Sequence, residues 1–91
     1  MTIPLIIHGA AGRMGKAIAT LALSQPNQFQ LAAGVDQKPG KLRDLGIASD
    51  APLLDKLPAQ RGAVIIDFSH PSTFAALCAH CAQNGMGLVS G

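Results

Sequence analysis

Three glycines recur at intervals of three residues near the N-terminus, at Gly9, Gly12 and Gly15. They follow an apolar run ending at Ile7 and precede a segment with helical periodicity. Asp36 closes the next apolar run, 21 residues after Gly15. Strand, glycine-rich turn, helix, strand and acid is the layout of a dinucleotide-binding βαβ unit. In such a unit the turn and the helix N-terminus bind a pyrophosphate, and the acid accepts hydrogen bonds from a ribose diol.

Each glycine of this turn has a predicted role. Gly9 permits the sharp exit from the first strand, Gly12 lets the backbone approach a phosphate, and Gly15 lets the helix pack closely on the sheet. The spacing G-x-x-G-x-x-G is one residue longer at its front than the common G-x-G-x-x-G. A purely structural turn is the alternative, and the acid at the expected distance favours ligand binding.

Basic residues flank both parts of this predicted site. Arg13 opens the helix and could reach a phosphate or an adenine face, or it could be an ordinary solvated arginine. Lys38 and Lys41 lie just beyond Asp36. A nearby cation accommodates the 2′-phosphate of NADPH, so these lysines are candidates for that contact, with soluble loop lysines as the alternative.

A second polar cluster follows the apolar segment at residues 63–68, where a strand is predicted to meet a helix. Ligands of open α/β sheets bind outside the carboxyl ends of the strands, so Phe68 and Ser69 are expected to line the cleft. Ser69 and Ser72 could instead cap the helix. His70 has no visible partner, and a surface position is expected for it rather than a role as general base. His8 is expected to be a packed residue beside the glycine turn.

The segment Cys78-Ala79-His80-Cys81 resembles a redox or metal motif. A redox C-x-x-C normally uses a helix N-terminus to lower the pKa of its thiol, whereas these cysteines fall well inside a predicted helix. A structural zinc site needs more ligands than the neighbouring sequence offers. We therefore expect buried core cysteines and no metal.

The elements that position these residues follow from periodicity. Strands are predicted over 3–7, 30–35, 63–68 and 87–90, and helices over 13–23 and 71–83. Residues 36–46 are predicted to form a polar loop, followed by a short strand near Ile47 and a small helix over 53–57 that Asp50 caps. The apolar helix faces are predicted to be Met14, Ile18, Leu21 and Ala22, and Phe74, Leu77, Cys78 and Cys81. Alternating strands and helices predict an α/β fold, a Rossmann-like doubly wound parallel sheet of about five strands.

Composition bounds the class of protein. The 91 residues make one small domain, and a hydrophobic content of 48% argues against disorder. A net charge of +2 without a basic run, together with the absence of Trp and Tyr, gives no indication of nucleic-acid binding. No apolar segment approaches the roughly 20 residues that a membrane span requires. Two cysteines and no basic region ahead of the first apolar stretch predict a cytoplasmic protein without a signal peptide.

Three segments together resemble one enzyme family. Gly-Ala-Ala-Gly-Arg-Met-Gly at 9–15, Val-Asp at 35–36, and Val-Ile-Ile-Asp-Phe-Ser-His-Pro followed by Gly-Leu-Val-Ser-Gly are similar to bacterial 4-hydroxy-tetrahydrodipicolinate reductase (dihydrodipicolinate reductase). The resemblance covers the whole chain. It implies a cytoplasmic enzyme of the diaminopimelate route to lysine that transfers hydride from NADH or NADPH to a cyclic unsaturated dicarboxylate.

The resemblance also implies roles for individual residues. The family's phosphate loop corresponds to the continuous segment from Gly9 to Met14, and its ribose-binding acid corresponds to Asp36. The family's Phe-Ser/Thr pair near the nicotinamide corresponds to Phe68 and Ser69. The phosphate-loop residues are Gly9, Ala10, Ala11, Gly12, Arg13 and Met14. Of the family's Gly-Thr-Thr-Gly turn at the nicotinamide, only the first glycine is present, as Gly91. Gln37 stands where some members have a basic residue, so recognition of a 2′-phosphate falls to Lys38 or is weak. His8 replaces a residue that is usually small.

The family's substrate-binding domain, which carries the catalytic residues and forms the homotetramer, has no counterpart in residues 1–91. The chain is therefore expected to be an incomplete dinucleotide-binding domain, inactive alone, with the final strand at 87–90 as an open edge that promotes self-association. Two alternatives remain open at this point. One is another NAD(P)-dependent dehydrogenase of the homoserine or aspartate dehydrogenase type, and the other is a stand-alone nucleotide-binding module.

Overall fold

The computed structural model describes residues 2–68, 72 and 74–90. Six strands and two α-helices follow one another along the chain, with a 3₁₀ turn between the third and fourth strands. Their bounds are β1 Ile3–His8, α1 Arg13–Leu23, β2 Phe29–Val35, β3 Gly40–Lys41, the 3₁₀ turn Leu42–Leu45, β4 Pro52–Leu54, β5 Val64–Asp67, α2 Phe74–Asn84 and β6 Gly87–Ser90. The predicted bounds of α1 and β6 are confirmed.

The strands form one sheet in the order β3-β4-β2-β1-β5-β6. All neighbouring pairs are parallel except β3 with β4. The predicted parallel sheet is thus confirmed, although it has six strands rather than about five. The two strands that the sequence does not predict are short: β3 spans two residues and β4 spans three.

The two helices cover opposite faces of the sheet. Consecutive residues of a strand point to opposite faces, and the adjacent residues Ile6 and Ile7 lie in two different apolar clusters. The cluster around Ile6 includes Leu77 of α2, whereas the cluster around Ile7 includes Ala19 of α1. A helix on each face of a parallel sheet is the doubly wound arrangement that the alternation of elements predicts.

The predicted apolar face of α1 is wrong in two of its four positions. Met14 is 54% and Leu21 58% exposed, whereas the buried residues of the helix are Gly15, Ala19 and Ala22. Small residues face the sheet because the helix begins very close to the glycine turn, and the larger side chains are then displaced to the solvent side. Helix α1 has the predicted apolar periodicity, but the face that packs on the sheet is the neighbouring one with the smaller side chains.

The predicted face of α2 is confirmed at Leu77 and Cys81, which are buried, but Phe74 is 44% exposed. The predicted start of this helix near Pro71 lies outside the described residues. The helix ends at Asn84, immediately before Gly85 and one residue beyond the predicted end at residue 83.

The segment between Asp36 and residue 57 is where the local predictions fail. The predicted helix over 53–57 is wrong, because Leu53 belongs to β4 and pairs with Gly34 of β2 and Gly40 of β3. Asp50, the predicted cap of that helix, instead accepts a hydrogen bond from Arg43 Nε at 2.7 Å. A helix of five residues is marginal by itself, and pairing with two strands satisfies more backbone groups.

The predicted polar loop over 36–46 contains β3 and the 3₁₀ turn, whose first residue, Leu42, is fully buried. The predicted short strand near Ile47 is not formed. Ile47 is buried after the turn, and its N–H donates to the carbonyl of Leu42 at 3.3 Å. The two side chains join the cluster around Ile7, so this segment closes one end of the core.

Candidate nucleotide-binding site

The glycine turn folds back over the end of β2. The N–H groups of Gly9 and Ala10 both donate to the carbonyl of Val35, at 2.8 and 3.2 Å, and the N–H of Gly12 donates to the carbonyl of Gly9 at 3.1 Å. Gly9 has φ +86°, a left-handed conformation that disfavours any residue with a Cβ. The backbone itself therefore holds the shape of the turn.

Gly15 and Gly12 meet different constraints. A Cβ added at Gly15 would lie 2.4 Å from the carbonyl oxygen of Gly9 and 2.9 Å from the Cα of Ala10, so α1 could not begin so close to the turn. A Cβ at Gly12 would make only an ordinary contact of 3.5 Å with the same oxygen. Packing within the protein requires glycine at position 15, but it does not require glycine at position 12.

The N-terminus of α1 opens at this turn. Gly12 is its N-cap residue and has no side chain to accept a hydrogen bond, and the first turn contains no acidic residue. The first N–H groups of a helix have no partner within the helix, and the helix dipole makes this end partially positive. Arg13 and Met14, the first two helical residues, are exposed. This end of α1 is therefore suited to an anion.

Asp36 connects the end of β2 to the glycine turn. Its Oδ2 accepts a hydrogen bond from the N–H of Ala11 at 2.8 Å, and its Oδ1 accepts one from the N–H of Gln37 at 2.8 Å. Its own N–H donates to the carbonyl of Leu54 in β4 at 2.9 Å. The side chain is only partly buried. The carboxylate is thus held in one orientation at the border between the turn and the following loop.

A cavity of about 210 Å³ opens beside this carboxylate. Its walls combine polar residues that follow β2 with apolar side chains from β4 and the 3₁₀ turn. The lining residues are Ala11, Asp36, Gln37, Lys38, Leu45 and Leu53. Sequence patterns do not predict Leu45 and Leu53 as lining residues, because they place Leu45 in a polar loop and Leu53 in a helix.

A second polar group lies at the same edge of the sheet, on β1, β5 and β6. His8 and Asp67 are register partners at the ends of β1 and β5, and His8 Nδ1 lies 2.9 Å from Asp67 Oδ1. Ser90, the register partner of Asp67 on β6, places its Oγ 3.5 Å from Asp67 Oδ2. Asp67 is 3% exposed. The only feature of the sequence that points to Asp67 is the presence of a carboxylate inside an apolar strand.

Comparison with known proteins decides the family. The model of the family described as dihydrodipicolinate reductase, N-terminus, matches residues 3–91. The chain belongs to this family. The resemblance inferred from the glycine turn, Asp36 and the Phe68 segment is thereby confirmed.

Relatives with assigned functions agree with this placement. The 4-hydroxy-tetrahydrodipicolinate reductase of Stenotrophomonas maltophilia (strain K279a) is 41% identical over 90 residues, which are 96% of this chain and 36% of that protein. The enzyme of the same name from Xylella fastidiosa (strain 9a5c) is 41% identical over 96 residues, with the same shares covered. The chain therefore spans little more than a third of the length of these relatives.

A solved structure shows the same fold. The dipicolinate-bound dihydrodipicolinate reductase from Paenisporosarcina sp. TG-14 superposes with a TM-score of 0.72 and 27% identity. The superposition covers 100% of this chain and 37% of that one.

Within this N-terminal domain, the structure brings together only some of the predicted site residues. Asp36, Lys38 and Ala11 of the glycine turn line the cavity, and Gly12, Arg13 and Met14 form the N-terminus of α1. Phe68 follows β5 and is half-buried, and its N–H donates to the carbonyl of His8 at 3.1 Å. Ser69, His70 and Gly91 lie outside the described residues.

The prediction of two buried core cysteines is confirmed for Cys81 only. Cys81 is buried and Cys78 half-buried on α2, and both are free thiols. Burial raises the pKa of the Cys81 thiol, and the neighbouring Cys78 raises it further. A raised pKa leaves the thiol protonated and unreactive near neutral pH. In the part of the chain that the structure describes, no three His, Cys, Asp or Glu side chains are grouped so that they could hold a metal ion.

Neither described helix has the length and apolar character that crossing a bilayer would demand.

Proposed function

We propose that residues 1–91 form the nicotinamide-dinucleotide-binding domain of a 4-hydroxy-tetrahydrodipicolinate reductase, and that NADH or NADPH is its ligand. The observation that carries this proposal is a cavity lined by Asp36 and by Ala11 of the glycine turn, which donates its N–H to Asp36 and lies two residues before the start of α1. A dinucleotide needs an anion site and a diol acceptor side by side, and this edge of the sheet offers both.

The pyrophosphate is assigned to the glycine turn and the beginning of α1. Gly12, Arg13 and Met14 border the open helix end, and the turn from Gly9 to Ala11 forms its frame. The open space around the Cα of Gly12, where an added Cβ would make only an ordinary contact, supports this assignment. Since no contact within the protein demands glycine there, close approach of a phosphate supplies the reason for it.

The adenosine half is assigned to Asp36 and the adjoining cavity. Each carboxylate oxygen has two acceptor positions, and one on each oxygen is taken by the N–H of Ala11 or Gln37. The remaining positions suit the two hydroxyls of a ribose. Leu45 and Leu53 provide apolar walls against which an adenine can pack.

Lys38 lines the same cavity as Asp36, so the cavity combines opposite charges. The carboxylate disfavours a 2′-phosphate, and the ammonium group favours it. We infer that NADH is accepted through Asp36 and that Lys38 determines how far NADPH is accepted. Phe68 and Ser69, together with Gly91, are assigned to the nicotinamide half by the family resemblance.

The bound cofactor would supply the hydride for reduction of a cyclic unsaturated dicarboxylate in the diaminopimelate route to lysine. The reductase names of the relatives support this activity for the parent protein. The chain matches about 36% of those relatives, and the substrate-binding part is assigned to the remainder. We therefore expect residues 1–91 alone to bind the cofactor without reducing substrate. The free thiols of Cys78 and Cys81 support a cytoplasmic location.

Calorimetric titration of the chain with NADH, NADPH and ADP-ribose tests the proposal. The contacts assigned from described residues belong mainly to the ADP-ribose portion, so ADP-ribose should bind within about tenfold of NADH, a difference below about 1.4 kcal/mol. Absence of binding by all three ligands would refute the proposed function. A preference for NADH well above tenfold would move the main binding determinants to the nicotinamide half.

A further inference from the structure

The chain leaves the neighbouring strands β1 and β5 toward opposite faces of the sheet. Helix α1, which follows β1, packs on the face that carries Ile7, and α2, which follows β5, packs on the face that carries Ile6. Ligands of parallel α/β sheets bind outside the carboxyl ends of the strands at such a switch point. The two strands end at His8 and Asp67, which are partners in register. A ligand that extends from the glycine turn toward the end of β5 crosses the edge where this pair lies.

The side chains of His8 and Asp67 join the two strand ends. His8 Nδ1 lies 2.9 Å from Asp67 Oδ1, although the two residues are 59 positions apart in the sequence. The side chains are 16% and 4% exposed, so little water competes for this hydrogen bond. A hydrogen bond shielded from water is electrostatically stronger than an exposed one. The pair therefore restrains the distance between the ends of β1 and β5.

His8 also has backbone connections to both sides of the switch point. Its carbonyl accepts the N–H of Phe68 at 3.1 Å, so the residue after β5 is tied to the end of β1. Gly9, which begins the glycine turn, follows His8 directly. The contact with Asp67 thus restrains a residue that both holds the segment after β5 and continues into the turn.

We propose that His8 is a positioning residue whose hydrogen bond to Asp67 sets the distance between the glycine turn and Phe68, and thereby orients the part of a dinucleotide beyond its pyrophosphate. The inference rests on the proposed function, because the pyrophosphate assigned there lies on the turn. A ligand that ends at the pyrophosphate needs the turn and the cavity beside Asp36, whereas a complete dinucleotide has to match both sides of the switch point. The two kinds of ligand should therefore respond differently to a change at His8.

ADP and NADH separate these two requirements, since ADP ends at its diphosphate. His8→Leu fills the space of the ring without hydrogen bonding, and we expect it to raise the dissociation constant of NADH about three- to tenfold, the scale of one hydrogen bond. The dissociation constant of ADP should change by less than about twofold, because that hydrogen bond does not serve it. Only His8 is substituted, so the other contacts of Asp67, among them the one with Ser90 Oγ at 3.5 Å, stay available.

Two further substitutions at His8 and one control complete the series. His8→Asn should restore NADH affinity to within about twofold of wild type, because its amide can donate to Asp67 or accept from it. His8→Ala should reproduce the effect of His8→Leu with a small side chain, the type that usually stands at this position in the family. His80→Leu is the matched control, since His80 lies on α2 and contacts the carbonyl of Pro58 through Nε2 at 2.8 Å.

Hydrogen exchange of the chain without ligand gives an independent readout. The N–H of Phe68 should exchange about three- to tenfold faster in His8→Leu and at the wild-type rate in His8→Asn, because local opening at its acceptor is governed by the restraint on His8. The N–H of Gly9, which donates to Val35, should keep its rate in both variants.

Three outcomes would overturn the proposal: equal losses of NADH and ADP affinity in His8→Leu, a loss that persists in His8→Asn, or unchanged exchange at Phe68. Equal losses would give His8 a purely structural role. A wild-type chain that binds both ligands, with NADH affinity unchanged in His8→Leu and His8→Ala, overturns this proposal and leaves the proposed function standing. A wild-type chain that binds neither ligand overturns both.

Discussion

The carboxylate of Asp36 accepts a hydrogen bond from the backbone N–H of Ala11 at 2.8 Å, which joins the end of β2 to the glycine turn. The acid assigned to the ribose therefore also supports the turn assigned to the phosphates. Loss of this side chain should affect both halves of the proposed site, and the two effects can be separated by the choice of ligand.

For Asp36→Ala we expect NADH binding to weaken by about 1.5–3 kcal/mol, the scale of hydrogen bonds to a charged group. The loss for NADPH should be smaller, because its 2′-phosphate is repelled by the carboxylate. A 2′,3′-dideoxy analogue of ADP should still lose part of its affinity, since the contact with Ala11 is absent whatever the ligand. Calorimetry measures all three.

Asp50→Ala is the matched control for this substitution. It also removes a carboxylate, an exposed one whose partner is Arg43 rather than the glycine turn. Equal losses for NADH and NADPH in Asp36→Ala would contradict the ribose assignment. An unchanged affinity for the dideoxy analogue would contradict the supporting role in the turn.

Gly12→Ala and Gly15→Ala should separate ligand binding from folding. A Cβ at position 15 falls 2.4 Å from the Gly9 carbonyl oxygen, so α1 must shift, and we expect the free energy of unfolding to fall by about 1–3 kcal/mol. At position 12 the contact is 3.5 Å, and we expect a loss under about 1 kcal/mol in stability together with markedly weaker NADH binding. Urea unfolding and NADH titration measure the two effects, and full NADH affinity in Gly12→Ala would argue against a phosphate at this position.

Lys38→Ala tests the origin of any NADPH binding. Lys38 lines the cavity beside Asp36, so its removal should weaken NADPH binding by about two- to fivefold, since an exposed charge pair contributes up to about 1 kcal/mol. NADH should change by less than about twofold, because it has no 2′-phosphate. Lys41→Ala, an exposed lysine on β3 outside the cavity lining, serves as the control. An equal effect on both cofactors would assign Lys38 to the pyrophosphate instead.

Strand β6 should mediate self-association of the chain. It is the last strand in the sheet order, paired with β5 on one side, and its Val89 is 56% exposed. An open strand edge with an apolar side chain favours pairing with another chain. We expect sedimentation to show concentration-dependent dimers, and Val89→Lys to reduce them. A strict monomer at high concentration would refute this expectation.

The sequence alone determined the part of the fold in which neighbouring residues carry the signal. The first strand, the glycine turn, α1 and the acid after β2 all lie where periodicity and turn residues predict them. The sequence also predicts, to within about one residue, that the helices end near Ser24 and Gly85. Proline and glycine stop signals act over only a few residues, so they can be recognised locally. The family could also be named from short segments of this kind.

The tertiary structure alone decided the features that depend on distant partners. Leu53 forms a strand because Gly34 and Gly40 pair with it, and a three-residue strand has no periodicity of its own to reveal it. Small residues of α1 face the sheet because the helix begins close to the turn at Gly9, and although Gly15 predicts this close packing, the apolar periodicity of the helix does not show which face it buries. His8 and Asp67, 59 residues apart, meet only because β1 and β5 are adjacent and in register. Local sequence sets backbone preference, whereas these contacts require the completed sheet.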